Sequence, residues 1–149
     1  MEVKRKNDIC IFNEVSYLPL SNFIVEVDEI ICKVSRESQL IPLKAFELEF
    51  LYNESVIVKR HICSQHSDEK PRMEYIVNEV KRYEPSDIKT YKHIIILIQT
   101  STEYPLIMSE LQKLNDITSG LSPKAEIRWA LGINEQSGNA ITLMIVYSK

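Results

Sequence analysis

Glycine is scarce in this sequence of 149 residues: there are three, and Gly120, Gly132 and Gly138 all fall near its end. No two of them form G-x-G or G-x-x-x-x-G-K. Loops that cradle phosphates need glycine to let backbone N–H groups approach, so a dinucleotide fingerprint and a P-loop are excluded. Cysteine is equally rare. Cys10, Cys32 and Cys63 form an odd set with neither a C-x-x-C pair nor zinc-finger spacing, which suits a reducing compartment and small buried apolar residues. Long apolar runs are missing as well. The longest aliphatic stretch, residues 94–98, is far short of the roughly 20 residues a membrane-spanning helix needs. Lys4, Arg5 and Lys6 are followed by Asn7 and Asp8, and residues 10–12 are too short for the apolar core of a signal peptide. Neither charge dominates: 18 basic residues stand against 21 acidic ones, scattered along the chain, and this gives no pull toward nucleic acid. A cytoplasmic protein with no membrane and no nucleic-acid partner is expected.

What is present is a 44% hydrophobic chain of ordinary single-domain length, able to bury a core without a disulfide or metal. Its hydrophobic period changes in an informative order. Residues 9–12 read as a strand stub, and residues 17–20, with Pro19, as irregular. From Ser21, a good N-cap, Phe23, Val27, Ile30, Ile31 and Val34 predict a helix over residues 21–36. A second short helix starts at Pro42, with Leu43, Phe46 and Phe50 on one side. Residues 55–63 read as a strand and 64–70 as a polar loop. Pro71 opens a helix to residue 84 on the stripe Met73, Ile76, Val77, Val80 and Tyr83, and Pro85 closes it.

Residues 93–99 are apolar on both faces, as in a central strand. A helix over residues 106–118 carries Leu111, Leu114 and Ile117, with Gly120 where a left-handed cap is expected. Residues 125–133 and 140–148 read as an antiparallel hairpin, with Trp129 facing the core. The domain 1–149 thus divides into a strand stub and loop (1–20), a helical lead-in (21–52) and a core (53–149). The fold class is α/β (α+β): a β-α-β-α-β-β four-stranded mixed sheet with helices packed mainly on one face, plus N-terminal helices.

The block YKHIIILIQTSTEYPLIMSELQKLNDI, from Tyr91 to Ile117, resembles the C-terminal domain of FtsZ, a member of the FtsZ/tubulin family. Residues 94–99 match that domain's first strand of the block, Ser109-Glu110-Leu111 its D-E-F, and residues 125–132 with 141–148 its final hairpin. Residues 56–64 and 71–85 resemble the preceding strand and helix, residues 21–36 fall at the long central helix, and residues 8–13 echo the last strand of the GTPase domain. The glycine-rich GTP loop of that family has no counterpart here. The resemblance implies a stand-alone, non-enzymatic domain with no cofactor, acting through protein contacts. Its partner would be an FtsZ or tubulin-like GTPase, and a homo-oligomer is a further arrangement open to it.

The family's synergy loop, N-x-D-F-x-D, inserts carboxylates into the neighbouring subunit's nucleotide site. The matching stretch here is residues 40–47, where Pro42 replaces the asparagine, Lys44 the first aspartate, and Glu47 alone retains an acid. A lysine cannot orient water or a cation as a carboxylate does. The resemblance therefore implies lost catalysis with a retained contact through Pro42, Lys44 and Glu47. Tyr91 and Tyr104, flanking the central strand, are further interface candidates among seven tyrosines.

Two other constellations have a chemistry of their own. His61, Cys63, His66 and Asp68 offer soft and borderline zinc ligands, although a structural site usually brings a second pair. The alternative reading is a small oligomeric enzyme of the chorismate-mutase-like fold, which would use Arg60, Arg72 and Arg128 to bind a dicarboxylate.

Overall fold

The computed structural model describes residues 2–6, 9–12, 16–64 and 71–149, with side chains from Phe23 onward. Seven strands form one sheet: β1 (Glu2–Lys6), β2 (Ile9–Phe12), β3 (Ser16–Pro19), β4 (Val56–Cys63), β5 (His93–Thr100), β6 (Glu126–Ile133) and β7 (Thr142–Ser148). Their spatial order is β3-β2-β1-β4-β7-β5-β6. Three α-helices accompany them: α1 (Leu20–Glu37), α2 (Arg72–Arg82) and α3 (Met108–Thr118). A 3-10 helix spans Ala45–Asn53. The mixed four-stranded sheet β4-β7-β5-β6 with its helices is the expected FtsZ C-terminal-domain-like fold. Among the described residues no helix is long and apolar enough to cross a membrane.

Each face of this sheet has its own core. On one, Met73, Ile76 and Val80 of α2 and Ile117 of α3 meet Ile94, Ile96 and Ile98 of β5 and Leu143, Ile145 and Tyr147 of β7. On the other, Phe23, Val27, Ile30 and Val34 of α1, with Leu48 and Leu51, meet Ile95, Leu97, Met144 and Val146. The two core helices share one face as expected. Helix α1 covers the opposite face, which explains why β5 and β7 are apolar at nearly every position.

The expected hairpin of residues 125–133 and 140–148 is not what forms. Strand β6 pairs in parallel with β5, from His93↔Glu126 to Thr100↔Ile133. Strand β7 lies antiparallel between β4 and β5, with Arg60↔Ile145 on one side and Ile96↔Ile145 on the other. Apolar on both faces, β7 takes a place with a neighbour on each side. Strand β6, broken by Glu126 and Arg128, takes the edge, and α3 provides the crossover a parallel β5–β6 pair requires.

Smaller departures have local causes. Of residues 17–20, expected to be irregular, 17–19 belong to β3, which pairs with β2 as the outermost strand, where a terminal proline is tolerated. Helix α1 begins at Leu20, so Ser21 lies within it. The 3-10 helix starts three residues after Pro42 and has a three-residue period; it buries Leu48 and Leu51 and leaves Phe46 69% exposed. Tyr83, placed on the α2 stripe, is exposed beyond the helix end. Gly120 is not left-handed: α3 closes at Ser119 with φ −63°, and the glycine with positive φ is Gly138, at 58°. Cys32 and Cys63 are exposed free thiols rather than buried ones.

Candidate protein-contact surface

The end of α1 sets the position of the loop that matches the synergy loop. A Cβ built at Gly132 would lie 1.6 Å from the carbonyl oxygen of Glu37, so only glycine lets β6 approach the last turn of α1. The chain then runs along the outer edge of β6. The N–H groups of Leu40 and Ile41 donate to the Leu131 carbonyl at 2.9 and 3.0 Å, and the Leu131 N–H donates to the Ile41 carbonyl at 3.0 Å. The Ile133 N–H donates to Gln39 Oε1 at 3.0 Å. Buried Ser38 accepts the Leu43 N–H at 3.1 Å. These bonds fix residues 38–43 against the sheet.

Pro42 and Lys44 are exposed on this loop, whereas Glu47 turns back to accept the Lys44 N–H at 2.8 Å. The one acid retained from the family pattern thus caps the first turn of the 3-10 helix. Around the loop lies an apolar surface that sequence reasoning missed. Leu40, Ile41, Ile107 and Met108 are 54%, 50%, 57% and 69% exposed. Beside them a groove of about 250 Å³ is lined by Ile41, Leu106, Leu111, Leu114, Trp129 and Leu131. Trp129, expected to face the core, packs against it only in part and forms one wall of this groove. The available signal was the run Leu106-Ile107-Met108 leading into α3, too apolar for a solvated helix start.

Tyr104, 46% exposed, remains on the surface, and its carbonyl accepts from Arg72 at 3.0 Å. Tyr91 does not. It is 2% exposed, its ring 5.8 Å from that of Tyr147 with Lys149 above it, so it belongs to the core and not to an interface. Burial, followed by the nearby Glu84 charge, pushes the Tyr147 hydroxyl well above its ordinary value.

The three arginines of the enzyme reading are committed elsewhere. Arg72 grips Glu110 through two bonds of 2.6 and 2.8 Å and donates to the carbonyls of Pro105 and Asn139 as well. Burial alone would raise the Glu110 carboxyl, but Arg72 and the Ile107 N–H hold it below the usual carboxylate range. Arg128 lies 4.4 Å above the Phe50 ring and contacts Glu126. Arg60 donates to the carbonyls of Lys59 and Tyr83. Of the proposed metal ligands, His61 and Cys63 lie exposed on β4, and His66 and Asp68 fall outside the described residues. Among the described residues no three His, Cys, Asp or Glu side chains converge.

No protein-family model and no curated protein matches this sequence. Solved structures do. An empty FtsZ dimer from M. jannaschii is 18% identical with a TM-score of 0.58, covering 93% of this chain and 42% of its own. An FtsZ point mutant from the same organism is 18% identical with a TM-score of 0.62, over 91% and 42%. A helical model of the TubZ-Bt four-stranded filament is 8% identical with a TM-score of 0.57, over 86% and 33%. The chain therefore shares the fold of these proteins while spanning less than half of their length.

Proposed function

We propose that this chain is a non-enzymatic, FtsZ C-terminal-domain-like protein that acts through protein–protein contacts and caps an FtsZ- or tubulin-like polymer. The observation that carries this reading is the exposed apolar surface of Leu40, Ile41, Ile107 and Met108 beside the loop that matches the synergy loop. Exposed apolar side chains beside an apolar groove mark an interaction site. The matched structures are described as a dimer and a filament, and assembly chemistry of that type is what the surface suits.

The mechanism follows from residue chemistry. A protomer docked through this loop would present exposed Lys44 to its neighbour's nucleotide, where the family pattern has aspartate. An ammonium attracts phosphate but cannot orient an attacking water, so the docked complex would persist without turnover. With Glu47 held in its cap, no acid from this stretch replaces the lost aspartate.

Sedimentation of FtsZ with GTP tests the proposal. A several-fold excess of this protein is expected to lower polymer mass and GTP turnover, Lys44→Asp to relieve the block on turnover, and Ile107→Asp with Met108→Asp to abolish docking. Unchanged polymer mass and turnover with the wild-type chain would overturn it.

A further inference from the structure

A second cavity, of about 240 Å³, opens on the α1 face of the sheet between Lys33 and the ends of β4, β5 and β7. Strand register fills it with soft ligands. His61 stands directly opposite Met144, and Cys63 opposite Thr142, which in turn stands opposite Gln99. Directly opposed residues share a face with Cβ atoms about 5 Å apart, and alternate residues of one strand return to the same face. His61, Cys63, Met144 and Gln99 accordingly line one cavity. Gln99, which lines it, is 5% exposed.

We propose that His61, Cys63 and Met144 bind Cu(I) through an imidazole nitrogen, a thiolate and a thioether. A thioether is a poor zinc ligand and a good one for Cu(I), and two sulfurs with one imidazole satisfy a three-coordinate soft ion. Binding transfers the Cys63 thiol proton to solvent. The charge of Lys33 is offset by Glu37 at 2.7 Å. This site lies apart from the Trp129 groove: the two cavities have no lining residue in common.

The test is anaerobic Cu(I) titration against a chromogenic Cu(I) chelator, in a Cys10→Ser, Cys32→Ser background that leaves Cys63 as the one thiol. One equivalent is expected to bind, with X-ray absorption showing one nitrogen and two sulfur ligands. Cys63→Ser, His61→Asn and Met144→Leu should each weaken binding by at least about tenfold. Because Met144 is buried, a melting scan verifies folding of each variant, and exposed His61 supplies the decision if Met144→Leu does not fold. No uptake by the wild-type cavity, or equal affinity in His61→Asn and the parent, would overturn the proposal.

Discussion

At the scale of single residues, Gly132 and Arg72 do what no neighbour could replace. Gly132→Ala forces the Glu37 carbonyl and the new methyl apart from 1.6 Å, so β6 and the end of α1 must separate. A loss of about 2 kcal/mol is expected from overpacking of this kind, read as a lower urea midpoint at unchanged slope. Arg72 ties α2 to α3 and to the loops before α3 and β7. Arg72→Ala leaves the half-buried Glu110 carboxylate uncompensated and should cost about 3 kcal/mol at neutral pH. The pH dependence has a definite sign. The Glu110 carboxyl is held below its ordinary range, so its contribution is full above the unfolded-state value of about 4.3 and is lost as pH falls through the lower folded-state value. The stability gap between wild type and Glu110→Gln should therefore be widest at neutral pH and narrow below about pH 4, in denaturation curves taken across that interval.

At the scale of elements, most boundaries were legible because the hydrophobic period is strong. The stripes of α1 and α2 and the unbroken apolar run of β5 each sit within a residue or two of where the sequence places them. The partner of each strand was not legible. Residues 140–148 look like half of a hairpin because a short turn precedes them, and turn chemistry is local whereas strand pairing is not. The overlooked clue was the apolar character of Leu143, Met144, Ile145 and Val146 on both faces, a mark of a central strand, beside the charge-broken Glu126 and Arg128 of an edge. The contact surface was harder still. Trp129 and Leu111 carry the same apolar signal as core residues, and only the spatial order of strands leaves them at a boundary. Hydrogen exchange can verify the arrangement. In β6 the Glu126 N–H turns inward to the Lys92 carbonyl and the Leu131 N–H outward to Ile41, so by alternation Ile127 and Trp129 face the open edge. Their amides should exchange rapidly while those of β5 and β7 approach the global limit.

At the scale of the whole molecule, two cores on opposite faces share one sheet, and β7 is common to both. Leu143, Ile145 and Tyr147 belong to the first core, Met144 and Val146 to the second. A chain ending at residue 141 would lose the strand between β4 and β5 and with it both layers, and should show no cooperative thermal transition. The order of synthesis then acquires a meaning. Of the seven described strands, the one at the centre of β4-β7-β5 leaves the ribosome last, so the earlier strands wait as two separate ribbons with a vacant slot between them. Until that slot closes, the nascent chain exposes two unpaired strand edges and two apolar faces to its surroundings. Chaperone occupancy during translation should therefore fall only once β7 has cleared the exit tunnel.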